Sequence, residues 1–255
     1  MKTEFSRDPF GELSEAEKVP GLKQRFPDRV LVMTTDRCFR RCPHCTRRWI
    51  LGASRTVSTA EEIAAAVRYV RRHRRIRDVL LSGGDIFTLD DEKILALVEA
   101  FASLRQIEVV RLCTRSLVDN PARITDELVN RLSRCKKLRV SVHINTAREA
   151  RKAAKAAAKF IDCGIPVLSQ TVLLRGVNDT PAKMLALLKT LSAERISPYY
   201  VFQCDPVAGL ERFAVPIEKA KRIERYCAER IGGLALPKFV ADIPGAPRKM
   251  PISML

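Results

Sequence analysis

The sequence predicts an α/β fold in which a parallel sheet, flanked by helices, forms a barrel or partial barrel. Three observations carry this reading. Apolar, β-branched runs recur at about 29–34, 78–82, 107–112, 138–142, 166–173, 197–202 and 237–241. Helix-like stretches of about ten or more residues separate them, and strands joined by such crossovers run parallel. No Gly/Ser-rich linker and no internal repeat interrupts the pattern, so the 255 residues read as one domain, long enough to bury a core without disulfides.

Taken in order, residues 1–28 are polar and broken by Pro9, Gly11, Pro20, Gly21 and Pro27. They predict an irregular N-terminal lead-in, with 29–255 forming the single domain. Helix starts are expected at Ser58-Thr59-Ala60-Glu61-Glu62, Leu89-Asp90-Asp91-Glu92 and Thr125-Asp126-Glu127, where a capping side chain precedes acidic residues. Gly164 marks a helix stop before the next strand. In such a fold the loops leaving the C-terminal ends of the strands build the site. A cysteine triplet follows the first run, Ser82-Gly83-Gly84-Asp85 the second, and Gln203-Cys204-Asp205 the sixth. Gln170 lies in the fifth, before Arg175-Gly176-Val177-Asn178-Asp179, and Asp242 ends the last.

A net charge of +17 raises nucleic acid as a partner, but the basic residues are spread over several helices, as in Arg71-Arg72-His73-Arg74-Arg75 and Arg151-Lys152-Ala153-Ala154-Lys155. A solvated helical face explains them better. No run of about twenty apolar residues offers a membrane span, and the N-terminus lacks an apolar signal core, so a cytoplasmic location is expected. The eight cysteines then read as ligands and buried thiols.

The richest stretch is Cys38-Phe39-Arg40-Arg41-Cys42-Pro43-His44-Cys45. Three thiolates at this spacing can converge on one site, and soft sulfur favours an iron–sulfur cluster or zinc. Zinc usually draws its remaining ligand from a second knuckle, yet Cys113, Cys135, Cys163, Cys204 and Cys227 all stand singly. A four-iron cluster held by three thiolates leaves one iron open to an outside ligand, as chemistry at the metal requires.

A Cys-x3-Cys-x2-Cys run directly after the apolar Val30-Leu31-Val32-Met33 resembles the signature of radical S-adenosylmethionine (SAM) enzymes. Further segments narrow the resemblance: Asp28-Arg29-Val30-Leu31, Thr46-Arg47-Arg48 after the triplet, Asp78 to Asp85, Arg123-Ile124-Thr125, Val172 to Asp179, Pro198-Tyr199-Tyr200 and Gln203-Cys204-Asp205. Together they look like the lysine 2,3-aminomutase family over nearly the whole chain, from about Asp8 onward. The resemblance implies a radical SAM partial (β/α)6 barrel with its active site at the C-terminal ends of the strands.

It also implies roles. Cys38, Cys42 and Cys45 would hold a [4Fe-4S] cluster, and His44, Ser82, Gly83, Gly84, Asp85, His143 and Gln170 would bind SAM. Lys249, in Asp242-Ile243-Pro244-Gly245-Ala246-Pro247-Arg248-Lys249-Met250-Pro251, matches the family's pyridoxal 5'-phosphate (PLP) lysine, and a lysine amine suits an aldehyde cofactor. Arg25 and Arg29 match its phosphate-binding arginines, Arg being better shaped than Lys for that task. Arg47 would hold a substrate carboxylate, and Asp205 and Asp242 the ε-ammonium of lysine. Two departures stand out: Ala246-Pro247-Arg248 replaces a glycine run, and Phe26 stands where the family has Tyr.

The implied activity is an isomerase converting L-lysine to β-lysine by 2,3-amino migration, through a deoxyadenosyl radical that takes a hydrogen from C3 and returns it once the amino group has moved from C2 to C3. An electron donor such as flavodoxin or ferredoxin is expected, as is a possible homo-oligomer. Thr180 stands where relatives carry a zinc-binding cysteine and the chain ends at Leu255, so no structural zinc is expected. The alternative is a related radical SAM enzyme acting on another amino acid or on a protein- or RNA-linked substrate.

Overall fold

The structure, a computed structural model, describes residues 4–12, 14, 16–51 and 58–255. Among these residues ten strands form a single mixed sheet in sequence order, with the first and the last strand as its unjoined edges. Seven of them run parallel: β3 (Arg29–Thr35), β4 (Asp78–Gly83), β5 (Val109–Thr114), β6 (Leu138–His143), β7 (Val167–Leu173), β8 (Ser197–Gln203) and β9 (Lys238–Ala241). Helices fill the six crossovers between them: α1 (Ala60–Arg72), α2 (Asp91–Ala102), α3 (Ser116–Asp119) with α4 (Asp126–Leu132), α5 (Ala147–Asp162), α6 (Pro181–Ala193) and α7 (Ile217–Ala228). This is the open, partial-barrel form of the expected six βα units.

The lead-in is more ordered than its composition predicts. β1 (Glu17–Val19) and β2 (Leu22–Phe26) form a hairpin, with β2 antiparallel to β3. Pro20 and Gly21 occupy the two turn positions, and Gly21, with φ of 79°, supplies the left-handed conformation that such a turn needs at its second place. Pro20 and Gly21, and Pro27 between β2 and β3, are thus turn residues of a sheet edge, while Pro9 and Gly11 lie ahead of it. Residues 1–3, 13 and 15 of this segment lie outside the described residues. At the other edge β10 (Met250–Pro251) pairs antiparallel with β9 and returns the C-terminal segment to the sheet.

The predicted helix starts form as capped N-termini. Thr59 and Glu62 make a reciprocal capping box on α1, Asp90 accepts from Lys93 N–H on α2, and Thr125 accepts from Leu128 N–H on α4. Gly164 has φ of 78° just past α5, the left-handed stop residue expected there. Ala150, Ala153, Ala157 and Phe160 recur at three- and four-residue spacing and bury one face of α5. They pack with Val79, Leu81, Val110, Leu112, Val140 and Val142 from the outer face of the sheet.

The period-two alternation of the strands decides what faces inward. Leu80 and Ser82, Arg111 and Cys113, Ser141 and His143, Gln170 and Val172, and Tyr200 and Phe202 are i, i+2 pairs on successive strands, and all line the same cavity. Polar residues that would be errors on the helix-covered face are thereby gathered on the inner one. No helix among the described residues is long and apolar enough to cross a membrane.

Candidate active site

A cavity of about 360 Å³ opens at the C-terminal ends of the parallel strands. The cysteine loop, which follows β3, reaches it with Cys38, Cys42, His44, Cys45 and Arg47. The β4 loop brings Ser82, Gly83, Gly84 and Asp85; β6 brings His143 and β7 Gln170. Asp205 follows β8, Asp242 and Lys249 come from either side of the last hairpin, and Arg25 and Arg29 rise from β2 and β3. Every site residue expected from the sequence therefore meets in one place.

Gly83 and Gly84 are required by a close approach, made here to the start of the cysteine loop. A Cβ on Gly83 would stand 2.5 Å from Thr35 O, and one on Gly84 2.1 Å from Arg37 O. The two backbones are clamped: Gly84 N–H donates to Thr35 O at 2.6 Å and Asp85 N–H to Arg37 O at 2.7 Å. Asp85 then ties this loop to β5. Its carboxylate accepts from Phe87 N–H at 3.1 Å, Thr114 Oγ1 at 2.7 Å and Arg115 N–H at 2.7 Å. With both oxygens used by protein donors, Asp85 shapes the glycine loop rather than offering a free carboxylate.

Burial pushes the Cys38 thiol up to about 12, with Asp85 and the neighbouring thiols adding to the effect, and pushes Cys42 up to about 11. As placed, no three His, Cys, Asp or Glu side chains among the described residues converge tightly enough to hold a metal ion. The donor set nevertheless fits an iron–sulfur cluster by its chemistry: three soft thiols on one loop, facing one cavity, with Cys45 N–H bonded to Cys42 O at 3.1 Å.

His44 and His143 are joined by a residue the sequence reading missed. Asn145 Nδ2 donates to His44 Nε2 at 3.2 Å, and His143 Nε2 donates to Asn145 Oδ1 at 3.1 Å. The amide is oriented by Val172 N–H, which donates to the same Oδ1 at 2.9 Å. These contacts fix both tautomers and leave each ring its Nδ1. Burial, with the Arg115 charge beside it, pushes His44 down to about 4, while burial, His44 and Arg115 push His143 down to about 3. Both imidazoles are neutral at pH 7. Only its place two residues after His143 hinted at Asn145 in the sequence.

At the opposite wall Asp242 is the hub. Its carboxylate accepts from Lys249 Nζ at 2.7 Å and from Arg25 Nη2 at 2.8 Å and Nη1 at 3.2 Å. Burial works against its charge, but Lys249 and Arg25 prevail and hold Asp242 below the ordinary carboxylate range. Asp205 goes the other way, to about 7, because of burial first and the Asp242 charge second, opposed by Lys249 and Arg25. Phe10 stacks under the Arg25 guanidinium at 4.0 Å, and Phe202 lies 4.7 Å from Lys249 Nζ. Arg29 lies over Phe26 at 4.5 Å.

Arg47 carries a partner that the sequence did not reveal. Its Nε and Nη2 donate to the two oxygens of Glu12 at 2.8 and 2.9 Å.

Known proteins share this arrangement of cysteine loop and half-barrel. A family model described as the radical SAM superfamily matches residues 32–188. The putative L-lysine 2,3-aminomutase of Treponema pallidum is 33% identical over 97% of this chain and 70% of its own length. The chain belongs to the lysine 2,3-aminomutase family of radical SAM enzymes. The L-lysine 2,3-aminomutase of Fusobacterium nucleatum is 39% identical over 96% of this chain and 58% of its own length. Glutamate 2,3-aminomutase of Clostridioides difficile is 33% identical, also over 96% of the chain. This chain thus spans somewhat more than half the length of several curated relatives that it matches. Among solved structures, a radical SAM methyltransferase from Sphaerobacter thermophilus aligns with a TM-score of 0.63 over 86% of this chain and 68% of its own, at 17% identity, a likeness of fold alone. Membership of the superfamily implies a [4Fe-4S] cluster and SAM as cofactors.

Proposed function

We propose that this aminomutase-family chain forms the catalytic core of a PLP-dependent isomerase that converts L-lysine to β-lysine. The observation that carries the reading is the Asp242 hub: a lysine ammonium already sits on a buried carboxylate, with Asp205 beside it, in the cavity that holds the three thiols. A substrate bringing its own terminal ammonium finds there two carboxylates. A glutamate side chain would meet the same pair with the wrong sign.

When bound, the cluster and SAM supply a carbon-centred radical, and PLP supplies an electrophilic aldehyde and a ring over which an unpaired electron spreads. The donor set suits that equipment: Cys38, Cys42 and Cys45 for the cluster; His44, His143, Gln170 and the Ser82–Asp85 loop for SAM; Lys249, Arg25 and Arg29 for PLP. Lys249 provides the amine that a substrate amine replaces. Were Lys249 to give up its ammonium state, Asp242 would keep Arg25 as a cation partner, and a substrate ammonium would take the place left beside it. Arg47 takes the substrate carboxylate, while Phe26 and Phe202 shield the amine from water. A low-potential donor such as flavodoxin or ferredoxin would deliver the electron.

The test is turnover of L-lysine, L-glutamate and L-alanine, side by side, by anaerobically reconstituted protein with SAM, PLP and dithionite. β-Lysine as the dominant product is expected. A preference for glutamate would falsify the substrate assignment.

A further inference from the structure

The N-terminal segment crosses the cavity before it enters the sheet. Ser6 pairs with Val207 in a parallel bridge, donating from its N–H to Pro206 O at 3.0 Å and accepting from Ala208 N–H at 2.7 Å. Phe5 packs in a small separate core of Leu174, Cys204, Val207 and Leu210. From this anchor Phe10 reaches Arg25, and Asp8 accepts the Glu12 N–H at 2.7 Å, aiming Glu12 at Arg47. The Glu12 side chain is only 12% exposed. Burial disfavours its charge, but Arg47, aided by Arg25 and Lys23, outweighs this and holds its carboxyl below the usual range.

The geometry of the pair is side-on. A guanidinium has five N–H groups, and Glu12 takes one from Nε and one from Nη2, so three remain, two of them, one from each Nη, along the Nη1–Nη2 edge. That edge, which has no hydrogen-bond partner among the described residues, can take a second carboxylate in the same bidentate fashion. A ligand carboxylate that instead displaced Glu12 would strand a nearly buried charge, the costly outcome for any buried ion pair.

We propose that Glu12 is a positioning residue, which holds Arg47 by its Nε–Nη2 edge and presents the Nη1–Nη2 edge to the cavity as the seat of the substrate carboxylate. This rests on the reading of Arg47 as the carboxylate partner and adds the N-terminal strap to the active site. Both carboxylates are bound at once, one by each edge of the same guanidinium.

Calorimetric binding of L-lysine and of L-lysinamide, which lacks the carboxylate, to the reconstituted enzyme tests this. The parent should bind lysine at least tenfold more tightly than lysinamide. Glu12→Gln should lose about tenfold for lysine and less than twofold for lysinamide, with KM raised and kcat at saturation nearly unchanged. Glu12→Asp keeps a counter-charge for Arg47, and therefore the fold, but draws the guanidinium back by one methylene. It should lose about threefold for lysine alone. Equal loss for both ligands would reduce Glu12 to a structural role and overturn the proposal. Tighter lysine binding by Glu12→Gln would also overturn it, marking Glu12 as a competitor for the seat. A parent that binds both ligands alike would remove the Arg47 reading and this proposal together, a result separable from either variant outcome.

Discussion

Lys249 Nζ donates to Asp242 Oδ2 at 2.7 Å, so the amine assigned to the cofactor rests on the carboxylate assigned to the substrate. The two assignments are compatible because one cation replaces another. Lys249→Ala should still cleave SAM slowly, since the cysteine loop is a separate element, yet form no β-amino acid. Asp242→Asn should weaken lysine binding about ten- to a hundredfold, from about 1.5–3 kcal/mol for a charge-assisted contact. Deoxyadenosine and β-lysine, quantified from the same reaction, check both. Full turnover by Lys249→Ala would sink the PLP assignment.

The proposed pairing of Asp205 with a substrate ammonium predicts that lysine binding depends on pH. Its carboxyl titrates near 7, raised by burial and by Asp242, so it is mostly protonated at pH 6 and mostly ionised at pH 8. Only the ionised form pairs with an ammonium. Lysine affinity should therefore rise several-fold between pH 6 and 8 and level off above, while Asp205→Asn gives a flat, weaker profile over this window. Binding measured across the range, with alanine as a ligand lacking the ε-ammonium, provides the check. Two buried carboxylates near one another titrate apart: Asp242, ion-paired, stays charged, and Asp205 holds its proton up to about pH 7.

Gly84→Ala tests the clamp between the β4 loop and the cysteine loop. The added Cβ meets backbone at 2.1 Å, where no side chain can swing aside. We expect a loss of about 1–3 kcal/mol in stability, as for other overpacked sites, together with reduced iron after reconstitution. Cys38→Ala, Cys42→Ala or Cys45→Ala should lose iron and deoxyadenosine formation, whereas Cys135→Ala and Cys163→Ala, outside the cavity, should keep both. Iron retained by Cys42→Ala but lost from Cys135→Ala would refute the cluster assignment.

Asn145→Ala should leave His44 and His143 without their common partner and weaken SAM binding by about tenfold. Nitrogen-15 shifts of the two imidazoles offer an independent readout. The parent should show His143 protonated at Nε2 and His44 at Nδ1, and the variant a mixture of tautomers. A mixed parent spectrum would dispose of the bridge.

The seven parallel strands, the helix caps and the cysteine loop were legible in the sequence because each rests on local chemistry. β-Branched runs, Thr59, Asp90 and Thr125 beside acidic residues, and Gly164 at a helix end act within a few residues of themselves. The inner and outer faces of the strands were implicit too, since side chains alternate with a period of two. What the tertiary structure alone decided is partnership over long separations. Glu12 with Arg47, Arg25 with Asp242, and His44 with Asn145 lie 35, 217 and 101 residues apart in the chain. No periodicity or motif records such pairs, because a charge meets its counter-charge only after the sheet has curved and brought distant loops to one end. The order of the lead-in has the same origin: Pro20 and Gly21 break a lone segment, but beside the edge of β3 they turn it into a hairpin.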